Sequence, residues 1–287
     1  MTAPLRHGLH RAERPLVLEA TDTRAIVAPG LGGRLASLVV RGSELLVTEA
    51  PDPIMWGSFP MVPFAGRIRN GRFAFAGRDY QLQRNAGPHA IHGTVFERAW
   101  SVNGPSELTT DLGPEWPFHG RVIQRFALSE YSLRVSLTLE ANESMPAALG
   151  WHPSFRRVLH GSAEAPAASS QPVELKLDAA QMFLRDPSGI PTGEVVPPNP
   201  RPWDDCFTGL RSAPALAWPG IVRLELTSSA DYWVAYDERP QCVCVEPQTS
   251  IPDFVNLVPA TAAPGEPMEA WMEWRWSDAP EARRRTD

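Results

Sequence analysis

Glu246 ends the alternating run CVCVE, residues 242–246. Successive strand residues point to opposite faces, so Cys242, Cys244 and Glu246 share one side, with Val243 and Val245 on the other. Pro247 has no N–H to donate and is expected to stop the ladder. A carboxylate at such a strand end is either a satisfied edge residue or a base in a partly dry pocket. Burial would raise its pKa toward neutrality, where a general base works best. His152, in LGWHPSF, is held between Trp151 and Pro153 with Phe155 close by. Its imidazole can donate a proton in catalysis, or it can be a core histidine bonded to a carbonyl.

Three further stretches carry candidate chemistry. In PFAGRIRNGRF (63–73), Arg67 follows Gly66 and precedes the turn pair Asn70-Gly71. Its guanidinium is a rigid fork of donors suited to hydroxyl or carboxylate oxygens, or simply a surface charge beside a hairpin. In GPHAIHG (87–93), His89 and His92 lie three apart in a glycine-bounded bend. They could join a distant carboxylate around a metal, but they lack the i, i+4 helical spacing that makes such a motif specific. In PWDDCF (202–207), Asp204 and Asp205 face opposite ways in an extended chain, so at most one reaches a common pocket.

The elements positioning these groups read as strands. Thirty prolines scattered through 287 residues disfavour long helices and suit short strands joined by turns. Strand runs are expected at 16–19, 24–27, 36–40, 72–75, 78–82, 121–128, 133–140, 173–177, 222–227, 232–235 and 270–276. The clearest is LRVSLTLE, where Leu133, Val135, Leu137 and Leu139 share a face. Segments 161–171 and 191–202 read as irregular loops. The expectation is an all-β chain, most simply one large antiparallel β-sandwich over residues 15–277, with an N-terminal arm (1–14) and a polar C-terminal tail (278–287).

A formal charge of −6 argues against nucleic acid as a partner. No apolar run approaches the roughly 20 residues of a membrane helix, and the N-terminus lacks the apolar core of a signal peptide. Cys206, Cys242 and Cys244 lack CxxC spacing and leave an odd thiol, so they are expected to be reduced and the protein cytoplasmic. A monomer or weak homodimer is expected.

The motifs in order are SFPMVPFAGRIRNGRF, PHAIHG, WPFHG, MPAALGWHPSF, DDCFTGL and CVEPQTSIPDFVN. Together they resemble the aldose 1-epimerase (mutarotase) family, with its galactose-mutarotase-like fold. The resemblance implies a cofactor-free isomerase that exchanges the α and β anomers of a free aldohexose. It implies Glu246 as catalytic base and His152 as catalytic acid. His92, Arg67, Asp204 and, more loosely, Asn85 would bind the small-molecule sugar, with Trp151 or Phe155 covering its apolar face. Three positions depart from the family pattern. Gly66 stands where asparagine is usual before the arginine, Thr94 replaces a frequent second glycine, and Ser154 replaces tyrosine and would open the pocket. Other readings are a non-catalytic sugar-binding protein, a metal-dependent enzyme using His89, His92 and His152 or Glu246, and an epimerase for a hexose phosphate clamped by Arg67, Arg69, Arg72 and Arg84.

Overall fold

The computed structural model describes residues 14–161, 169 and 171–279. The expected N-terminal arm, nearly all of the 161–171 loop and the last eight tail residues lie outside that set. The described chain folds as two large antiparallel sheets, one of eleven strands and one of eight, with three two-stranded ribbons beside them. One helix, Phe254–Leu257, and two short 3₁₀ turns are the helical elements among the described residues. The all-β antiparallel sandwich expected from the pattern is thus the fold.

Alternation explains which residues fill the interior. In Ser132–Ala141 the residues Leu133, Val135, Leu137 and Leu139 are all buried, and this strand pairs with Gly120–Leu128 and Met268–Ser277 in the smaller sheet. From the larger sheet Trp151, Phe155, Val243 and Val245 enter the same core. Phe155 meets Trp274 of the smaller sheet edge-on at 4.9 Å. Trp218 Nε1 donates to the Arg156 carbonyl at 3.0 Å, so its buried N–H is satisfied.

Two expectations are corrected here. Residues 191–202 are not wholly irregular, because Pro191–Val196 forms a strand against Ala179–Arg185. Pro247 does not end its strand, which runs Cys242–Gln248 between Gly150–Arg156 and Tyr232–Tyr236. The reason lies in the facing strand. Pairing with Gly150–Arg156 holds at Gly150–Gln248 and from Ser154–Cys244 to Arg156–Cys242. It lapses between them, where Pro153 and Pro247 have no N–H to give. His152 and Glu246 stand opposite each other inside that gap.

Candidate active site

The larger sheet brings five strands side by side: Ser58–Met61, Gly150–Arg156, Cys242–Gln248, Tyr232–Tyr236 and Asp204–Leu210. Directly opposed residues of antiparallel strands share a face. Phe59 opposes His152, Val234 opposes Glu246, and Cys206 opposes Val234, so these side chains form one row. They lie on the face opposite the one from which Trp151, Phe155, Val243 and Val245 enter the core. Above them is a cavity of about 170 Å³ lined by His152, Glu246, Gln248, Arg67, His92 and Asp204, among others. Loop residues Asp52 to Met55, Gly66, Gly189 and Pro252 form its rim.

His152 Nε2 and Glu246 Oε1 are 3.4 Å apart at the floor, both side chains almost fully buried. Gln248 Nε2 donates to Glu246 Oε2 at 3.2 Å, leaving Oε1 turned toward the imidazole. Burial, then the nearby Asp204 charge, pushes the Glu246 carboxyl well above its usual range. Burial pulls His152 down to about 3, and the Arg34 charge acts in the same direction. Phe59 stacks on the His152 ring at 4.9 Å with only 9° between planes, which fixes its orientation. His92 meets the same imidazole edge-on at 4.9 Å. Burial, His152 and Arg67 together hold His92 well below its usual pKa, so it is neutral and free to accept or donate a hydrogen bond.

Asp204 lies between two guanidiniums. Arg185 Nη1 is 2.9 Å from its carboxylate and Arg67 Nη1 3.6 Å, while Arg185 Nε reaches Asp205 at 2.8 Å. The two aspartates do point differently: Asp204 lines the cavity and Asp205 is buried behind it. Arg67 follows Gly66, whose φ is +66° and whose Cβ position would fall 2.6 Å from the Pro252 side chain. Glycine is therefore required where the rim closes on the 252 loop.

Of the six expected site residues, the cavity gathers Glu246, His152, His92, Arg67 and Asp204. Asn85 is not among its lining residues. Its amide is engaged with the Ile91 backbone, donating from Nδ2 at 3.3 Å and accepting at Oδ1 at 2.8 Å, so it holds the bend carrying His92. Trp151 and Phe155 are fully buried on the opposite face and cannot cover a ligand in this cavity. Ser154 shares the His152 face but is fully buried, 3.8 Å from Cys244 Sγ, and is not among the residues lining the cavity. His89 accepts from the Asn70 N–H at 3.1 Å away from the floor, which removes it from the metal set first considered. The expected arginine clamp does not converge. Arg69 pairs with Asp186 at 2.7 Å, Arg72 bonds Gln81 at 2.8 Å, and neither they nor Arg84 line the cavity. Arg185, Tyr236 and Arg239 do line it and belong to no motif that marks them in the sequence.

A large antiparallel sandwich of this kind is the galactose-mutarotase-like fold, and solved structures share it. A putative aldose 1-epimerase from Escherichia coli K12 aligns with a TM-score of 0.76 at 21% identity, over 92% of this chain and 99% of that one. A galactose mutarotase-like protein from Clostridium acetobutylicum has a TM-score of 0.76 at 18% identity, over 91% and 94%. The aldose 1-epimerase family profile matches residues 15–216, and the chain belongs to that family of isomerases. The uncharacterized protein YphB of Escherichia coli K12 is 29% identical over 224 residues, 72% of this chain and 74% of its own length. The galactose mutarotase of Sus scrofa is 31% identical over 175 residues, 58% of this chain and about half of that enzyme, 49%.

Proposed function

We propose that the protein interconverts the α and β anomers of a free aldohexose, with Glu246 as base and His152 as acid. The observation that carries this reading is the 3.4 Å separation of His152 Nε2 and Glu246 Oε1 at the floor of a cavity. The hydroxyl oxygen O1 and the ring oxygen O5 are bonded to one carbon, C1. Acid and base must therefore be neighbours, rather than face each other from opposite sides of the sugar. Glu246 takes the O1 proton as C1=O1 forms and the C1–O5 bond breaks, and His152 delivers a proton to O5. After rotation about C1–C2, the same transfers in reverse close the ring on the other face.

The proton balance suits this exchange. A raised carboxyl and a lowered imidazole, both buried, favour a neutral pair holding one proton on the carboxyl side. Moving that proton to Nε2 gives the carboxylate and imidazolium that ring opening uses. Arg67 and the hydroxyls of an incoming sugar favour the charged form. Arg67 and Asp204, tied together at 3.6 Å, present donors and an acceptor to hydroxyls at the cavity wall. Neutral His92 fills the remaining side.

The test is polarimetry or NMR of freshly dissolved α-glucose and α-galactose with the wild type and Glu246→Gln. Each proton-transfer group is worth roughly 10²–10⁴ in rate, so a loss of that size is expected. An undiminished rate in the variant would remove Glu246 from the chemistry.

A further inference from the structure

Behind the cavity floor, the buried Cys244 adds one more donor beside His152 and Glu246 than acid–base exchange uses. A ring nitrogen of His152, Cys244 Sγ and a Glu246 carboxylate oxygen all lie within 4.8 Å of one another, and all three residues are buried. Strand alternation puts Cys244 and Glu246 on one face, and the lapse in the ladder opens that face toward His152. Two ligands held about 2.1 Å from one tetrahedral ion stand about 3.4 Å apart. The Nε2–Oε1 separation is 3.4 Å. Gln248 fixes the carboxylate through Oε2, the kind of outer hold that orients a ligand oxygen. A nitrogen, a thiol sulfur and one carboxylate oxygen form a borderline-soft set that suits zinc-like ions and disfavours magnesium or calcium.

We propose that His152, Cys244 and Glu246 form an inhibitory site for a thiophilic divalent cation of the zinc class, its fourth position open to the cavity. Binding releases two protons to solvent, the Cys244 thiol proton as the Sγ–metal bond forms and the proton shared by Glu246 and His152 as the carboxylate and Nε2 bind the ion. The ion then occupies the lone pairs of Nε2 and Oε1, so metal and sugar exclude each other. The binding site stands on geometry alone, whereas the inhibitory consequence rests on the anomer-exchange reading.

The test uses the full-length protein after treatment with EDTA, titrated with cobalt(II) and, separately, zinc(II). Cobalt should saturate at one ion per chain, with intense tetrahedral d–d absorption and a thiolate-to-cobalt charge-transfer band in the near ultraviolet. Cys244→Ala should lose that band, and Glu246→Gln, which keeps the side-chain shape, should weaken cobalt binding at least tenfold. Cys206→Ala and Cys242→Ala should retain the band. Zinc should slow anomerisation by wild type in competition with sugar, and EDTA should restore the rate. Absence of saturable binding, or a charge-transfer band that survives in Cys244→Ala, would overturn the site. If cobalt binds as described while the wild type has no anomerase activity, the epimerase reading fails and the metal site stands. If the wild type is active but neither ion binds, the converse holds.

Discussion

Glu246→Gln has a consequence for stability that is separate from its effect on rate. The wild-type carboxyl has a folded pKa raised well above its ordinary 4.5 by burial. Above about pH 4.5 the native state therefore holds a proton that the unfolded state has lost, and stability falls as pH rises, until the folded pKa is passed. His152 does the opposite. Its folded pKa is lowered to about 3 from 6.5, so below 6.5 the unfolded state binds the extra proton and stability rises with pH. One proton of difference is worth about 1.4 kcal/mol per pH unit. In the wild type the two slopes oppose each other from about pH 4.5 upward. In Glu246→Gln only the histidine slope remains. The variant should therefore gain on the wild type as pH rises from roughly pH 5, by about 1 kcal/mol per pH unit for as long as the wild-type carboxyl stays protonated in the folded state. Urea unfolding of both proteins at several pH values, with EDTA present, measures the difference directly. A difference that stays flat from pH 5 to 7 would refute the claim that this carboxyl is held neutral by burial, and with it the proton accounting of the mechanism.

Three other substitutions probe the parts around the pair. Asp204→Asn removes the charge that Arg67 and Arg185 share. Losing charged hydrogen bonds of about 1.5–3 kcal/mol should raise KM roughly ten- to a hundredfold, seen in the concentration dependence of anomerisation. Gly66→Ala places a Cβ 2.6 Å from Pro252 at a φ of +66°. It should lower stability by about 1–3 kcal/mol, read from the urea midpoint, since the rim loop must shift to admit it. Trp151→Phe should lower stability while leaving KM unchanged, because Trp151 packs in the main core and not in the cavity. A changed KM there would return the indole to the binding site.

Most strands legible from alternation have one wet face; Cys242–Gln248 is buried on both and is legible because thiols and valines alternate along it. Ser132–Ala141 and Val222–Ser228 read clearly because buried and less buried residues alternate along them. Ser58–Met61 and Gly150–Arg156 carry Phe59 and His152 and are buried on both sides, so no period of two marks them. His152 and Glu246 are legible as neighbours in one cavity because each sits in a distinctive local string. Arg185 is not, since it is a lone arginine whose partners Asp204 and Asp205 come from a neighbouring strand. Asn85 stands in a motif but does not line the cavity. Its amide instead secures the backbone that presents His92.

Pro247 continues its strand for a physical reason that lies in the neighbouring strands. A proline in a central strand removes a donor, and taken alone it predicts termination. Here Pro153 and Pro247 lie on facing strands within the same unpaired stretch, and each strand is held by its other neighbour: Pro153 opposes Ser58, and Pro247 opposes Trp233. The strands therefore continue, and only the ladder between them opens. Within that opening, the neighbours Phe59 and Val234 fix His152 and Glu246 from outside. Two side chains that alternation alone would place in an ordinary cross-strand pair thus become a buried imidazole and carboxyl 3.4 Å apart at the floor of a cavity.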